Sequence, residues 1–122
     1  MSKYSNPNSF TWSGATVWNK AFDFGSVPIS AGFYVFTDYT ESLQPSARPT
    51  RTVFYVGQTI NLQGRLKEHW NKNIELLFQT ASWKLEGRQV YVRWAVDDRA
   101  SIESDLINFL QATLNDRLSK WS

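Results

Sequence analysis

Three stretches of the chain alternate as strands do. In GFYVFTD, opened by Gly32, Phe33, Val35 and Thr37 alternate with Tyr34 and Phe36, which sets successive side chains on opposite faces of a sheet. Residues 53–57, VFYVG, form a shorter run of β-branched and aromatic residues, the types that favour a strand. Residues 89–96, QVYVRWAV, are the most regular. There Val90, Val92, Trp94 and Val96 share one side, with Tyr91, Arg93 and Ala95 on the other. Between the second and third runs the period lengthens: after Asn61, a good helix N-cap, Leu62, Leu66 and Trp70 recur every fourth residue. Residues 73–85 also read as a helix, with Ile74, Leu77, Phe78 and Ala81 as its buried stripe and Glu86-Gly87 as its end. Asp97-Asp98 then caps a helix expected over 99–114.

That last helix contains an anomaly. At about 100° per residue, Phe109, Ile102, Thr113, Leu106, Leu110, Leu114 and Ile107 occupy one arc of about 160°. Gln111, Ser104, Asn108 and Asp105 lie opposite. Glu103 falls inside the apolar arc. A carboxylate there is costly unless a cation or hydrogen-bond donors meet it. Two readings follow: a site that holds a metal, or a buried glutamate paired with a core-edge arginine such as Arg65 or Arg93. Arg65 and His69, four apart, flank the Leu62–Leu66 stripe at its expected border with solvent, where a cation beside an imidazole can bind a phosphate.

Two segments lack periodicity. Residues 1–28 scatter Phe10, Trp12, Val17, Trp18, Phe22 and Phe24 through an irregular extension. It either packs across the domain of residues 29–122 and closes its core, or offers a surface that stacks on bases or meets a second subunit. Residues 39–52 are polar and turn-forming, carry Arg48 and Arg51, and join the first two strands into a hairpin with a long loop.

Composition narrows the chemistry. With 122 residues, 42% of them hydrophobic and 20% charged, the expectation is one globular domain. A net charge of +2 permits binding to a polyanion without requiring it. There are no cysteines and one histidine, which excludes disulfides, thiolate zinc sites and cysteine nucleophiles. Any metal must be held mainly by oxygen, favouring Mg²⁺ or Mn²⁺. Neither a membrane-length apolar run nor a signal-peptide core is present, so the expected location is the cytoplasm, with no membrane partner.

Taken in order, Gly32-Phe33-Tyr34, Tyr55-Val56-Gly57, Arg65, His69, Glu103 and Asn115 resemble the GIY-YIG nuclease superfamily. GFY stands for its GIY element and YVG for YIG. NLQGRLKEH is similar to its arginine-bearing helix, and ESDLINFLQATLN to its metal-binding helix. The resemblance spans residues 30–115. Tyr34 and Tyr55 are 21 positions apart, more than is usual in the family, because of the 39–52 insertion. Gln58 stands where many members have Lys, and Ala112 where many have Pro.

The resemblance implies an α+β domain, a three-stranded, mostly antiparallel sheet flanked by helices, that hydrolyses phosphodiester bonds in DNA. It implies Glu103 as the ligand of Mg²⁺ (or Mn²⁺) and Arg65 as the donor to the scissile phosphate. Tyr34 is implied as general base, with Tyr55 its alternative or positioning partner, and His69 as a hydrogen-bonding neighbour. Gln58, Arg48 and Arg51 are substrate contacts in this reading; Gly57 and Asn115 are structural. DNA is then the partner. Specificity is left to the extension, the loop, the 71–85 region, a homodimer or a targeting protein. The competing readings are a non-cleaving nucleic-acid-binding or accessory module on the same fold and a protein-interaction domain using exposed aromatics.

Overall fold

The structure is a computed structural model that describes residues 10–47, 51–72, 89–97 and 103–110, with backbone alone for 103–105. Its elements are β1 (Thr16–Val17), a 3₁₀ turn (Phe24–Ser26), β2 (Gly32–Thr37), β3 (Val53–Thr59), α1 (Leu62–Asn71), β4 (Tyr91–Val96) and α2 (Glu103–Leu110). The helix expected over 73–85, Arg48 and Asn115 lie outside the described residues.

The fold is α+β, with one antiparallel sheet ordered β1-β4-β2-β3. The sheet thus has four strands where three were expected. The additional one comes from the N-terminal extension, and its two residues are too few for alternation to reveal. Thr16 pairs with Val92 and Val17 with Tyr91. The flanking bonds Ser13 N–H to Trp94 O (2.8 Å) and Trp18 N–H to Val90 O (2.9 Å) continue the same edge.

All six residues of β2 are buried, so its alternation separates two covered faces rather than a wet one from a dry one. On the first face Tyr34, Phe36, Phe54, Tyr55 and Val92 pack under Leu62 and Leu66 of α1 and under Trp18, Phe22 and Val27 of the extension. On the second, Phe33, Val35, Val53 and Val56 meet Leu106 and Leu110 of α2, together with Tyr39 and Leu43. The extension contributes to both layers. Phe10 lies 5.6 Å from Phe33 on the α2 side, while Trp18 lies 5.0 Å from Phe36 and 5.4 Å from Trp70 on the α1 side.

Phe36 pairs with Tyr55 but Thr37 with Val53, leaving Phe54 as the extra residue of a bulge. The bulge explains why two consecutive aromatics, Phe54 and Tyr55, both enter the α1-side core. The 39–52 connection is tied back at Ser46 and at Thr52. Thr52 N–H donates to Asp38 Oδ1 (2.7 Å), Val53 N–H to Ser46 Oγ (2.9 Å) and Ser46 N–H to the Leu110 carbonyl (3.0 Å). Among the described residues no helix is long and apolar enough to cross a membrane.

Candidate functional site

The start of α1 is strongly determined. Asn61 is extended and its side chain accepts from Gly64 N–H at 3.0 Å, the capping contact that its position predicts. Leu62 N–H donates to Ser30 O (2.9 Å) and Gln63 N–H to Pro28 O (3.2 Å). These first-turn donors are occupied by the protein itself, so the site gathers further along the helix. Leu62 and Leu66 are buried against the sheet, and the same rotation carries Arg65 and His69 over Tyr34 and Tyr55.

His69 is completely buried, a correction to its expected place at the solvent border. Its Nε2 lies 2.7 Å from the Tyr34 hydroxyl. Its ring centroid is 5.4 Å from that of Tyr34, 5.8 Å from Tyr55 and 6.0 Å from Phe36. Burial, followed by the nearby charges of Arg65 and Lys72, lowers its pKa to about 3. At neutral pH His69 is therefore an uncharged imidazole, and Nδ1 has no partner among the described residues. The nitrogen next to Tyr34 is the acceptor in one tautomer and the donor in the other.

Gly57 makes this arrangement possible. It pairs with Tyr34 across the sheet, and a Cβ at Gly57 would overlap the Tyr34 ring and hydroxyl. The missing side chain is the space the phenol occupies.

Arg65 is the polar gate of the cluster, with its side chain 15% exposed. Nη1 donates to Glu68 Oε2 at 2.8 Å, and the guanidinium also acts on the Tyr34 hydroxyl. The Tyr34–Arg65 interaction lowers the tyrosine pKa, as expected for a candidate base. Burial outweighs it, with Tyr55 adding to the rise, and the net direction is upward. Tyr34 is a neutral phenol in this state. Arg65 keeps its charge: partial burial works against it, but the hydrogen bonds to Tyr34 and Glu68 and the Glu68 charge outweigh that, and its pKa is raised. Glu68 was not among the candidates, although its spacing three residues after Arg65 is a legible signal for an ion pair.

The structure thus brings together Tyr34, Tyr55, Arg65 and His69, with Gly57 beneath them. Gln58 is not part of the group. It pairs with Phe33, so strand parity turns it to the opposite face from Tyr34 and Tyr55. Arg51 lies at the loop end of β3, its Nε donating to Pro45 O at 2.9 Å and its backbone bridged to Ala47. Glu103 is the first residue of α2, the helix whose Leu106 and Leu110 pack on the face opposite α1. Its side chain is not among those described. Among the described residues no three His, Cys, Asp or Glu side chains form a group that could hold a metal ion. Glu103, the residue that would hold an ion, has no described side chain and so lies outside that set.

What remains is a half-buried cation beside a buried, neutral phenol–imidazole pair. Arg65 can receive an oxyanion by exchanging it for the exposed Glu68, since an ion pair of that kind contributes at most about 1 kcal/mol. The chain matches no protein-family model, no curated protein and no solved structure.

Proposed function

We propose that the protein is a metal-dependent endonuclease of the GIY-YIG type, hydrolysing phosphodiester bonds in DNA. The observation that carries this reading is the convergence of Tyr34, Tyr55, Arg65 and His69, drawn from β2, β3 and α1, into one cluster on one face of the sheet. Their resemblance in order to the family's motifs is a separate support.

In this reading Arg65 leaves Glu68 and donates to the scissile phosphate, where its paired N–H groups match the charge that grows in the transition state. His69 holds the Tyr34 hydroxyl in a fixed direction. One of the two tyrosines orients and activates the attacking water. Glu103 would hold a divalent ion, which would supply charge neutralisation at the phosphate.

One observation favours a second reading, a non-cleaving nucleic-acid-binding module on the same fold. Tyr34 and His69 are both buried, and burial holds the phenol protonated. Incubation of supercoiled plasmid with Mg²⁺ or Mn²⁺ separates the two. Nicking that is lost with chelator and in Glu103→Ala supports the nuclease. Binding of DNA without cleavage under any divalent ion supports the module. Neither binding nor cleavage overturns both.

A further inference from the structure

Arg93 carries a buried charge that the cluster around Tyr34 does not use. It pairs with Val35 in β4–β2, on the face opposite Tyr34, and is 5% exposed. Nη2 donates to the Tyr39 carbonyl at 3.0 Å, and the guanidinium carbon stands 5.3 Å from the centroid of the Tyr39 ring. Nε has no partner among the described residues. No described carboxylate lies within ion-pair distance of it; Glu41, exposed to solvent, exerts only a longer-range pull. A guanidinium does not shed its proton, and among the described residues one carbonyl with an aromatic face is meagre compensation for its lost hydration.

Arg93 also lines an open cleft of about 260 Å³. Trp12 and Leu43 provide apolar wall, while Ser13, Thr40 and Ser42 bring hydroxyls. Ser13 Oγ is already committed, accepting from Trp94 N–H at 3.0 Å and donating to Gly14 O at 3.2 Å. Thr40 and Ser42 are solvent-exposed residues, and their hydroxyls are suited to donate to a bound group. A buried cation, hydroxyl donors and an indole wall together make a receptor for a negative group of limited size.

We propose that this cleft binds a small-molecule oxyanion, a phosphate or a carboxylate, with Arg93 as its charge partner and Thr40 and Ser42 as hydrogen-bond donors. The site lies across the sheet from Tyr34 and Arg65 and is independent of any nuclease activity there.

The test is a titration of the whole chain with inorganic phosphate, acetate and adenosine monophosphate at constant ionic strength in chloride. Binding is followed by the NMR signals of the arginine Nε–H and tryptophan indole N–H groups. The expected result is a saturable shift of the Arg93 and Trp12 signals by at least one probe, in the millimolar range or tighter. The probe that binds best identifies the oxyanion. Ser42→Leu, which fills the mouth and leaves Arg93 and its bond to Tyr39 in place, is expected to abolish the shift. Arg93→Lys should weaken binding by about tenfold through loss of the planar donor fork. No saturable shift with any probe overturns the proposal. So does a shift that persists unchanged in Ser42→Leu, or one spread evenly over the surface cations.

Discussion

The Tyr34 hydroxyl and His69 Nε2 lie 2.7 Å apart in the core, each the other's hydrogen-bond partner at those atoms. They come from a strand and a helix 35 residues apart in sequence, so the contact also locks α1 onto the sheet.

His69 makes stability depend on pH with a definite sign. Its folded pKa of about 3 lies below the ordinary value of 6.5, so the unfolded chain binds the extra proton between those limits. The contribution is fully present above pH 6.5 and is lost as pH falls towards 3. In that window the loss approaches about 1.4 kcal/mol per pH unit. Denaturant unfolding between pH 7 and pH 5 checks it, above the range in which ordinary carboxylates titrate. His69→Gln should flatten the slope, and an unchanged slope would refute the assignment.

Gly57→Ala sets a methyl group against the Tyr34 ring. Either the strand pair opens or Tyr34 swings from His69, at a cost of about 1–3 kcal/mol, as for other overpacked cores. Thermal unfolding measures the loss. Near-ultraviolet circular dichroism should also change, because the tyrosine environment shifts.

Tyr34→Phe strands the Nε2 of a buried imidazole, and removing one partner of such a bond costs about 1–3 kcal/mol. Arg65→Ala removes the ion pair with exposed Glu68 and the interaction with Tyr34, and the fold should survive with smaller loss. Under the nuclease proposal both variants lose plasmid nicking, whereas Gln58→Ala, on the other face, retains most of it. Greater loss of nicking in Gln58→Ala than in Tyr34→Phe would sink the assignment of the cluster.

Asn61→Ala removes the side-chain acceptor for Gly64 N–H. The expected cost is about 1 kcal/mol, as for other N-cap deletions. The check is the denaturant midpoint, with an unchanged slope. No shift would mean that Leu62 and Gln63, bonded to Ser30 and Pro28, already determine where α1 begins.

The alternation in β2, β3 and β4 and the fourfold spacing after Asn61 were legible because each is a local consequence of backbone geometry. Leu106 and Leu110 also lie on the buried side assigned to them by the helical arc. Burial of His69 was not legible. Helical spacing places it at the edge of a stripe, and only the aromatic floor of Tyr34, Tyr55 and Phe36 decides that this edge is dry. Gln58 follows Tyr55 closely in motif order, but strand parity sets the two on opposite faces. Arg93 reads from the sequence as a core-edge arginine on the strand face of Tyr91 and Ala95. It is enclosed because Tyr39 and the following loop fold back over that face, a tertiary event with no periodic trace.

The two-residue strand β1 has a consequence beyond completing the sheet. With Ser13 and Trp18 on either side, it occupies the outer hydrogen-bonding edge of β4, a strand rich in the residues that most readily pair with copies of themselves. It is therefore a built-in guard against self-association. A chain shortened to begin at Ile29 would bare that edge and, with Trp18, Phe22, Val27 and Pro28 gone, loosen α1 as well, and it should gather into β-rich aggregates. Light scattering of the shortened chain during refolding would reveal this. A monodisperse product would mean that another segment can take over the edge.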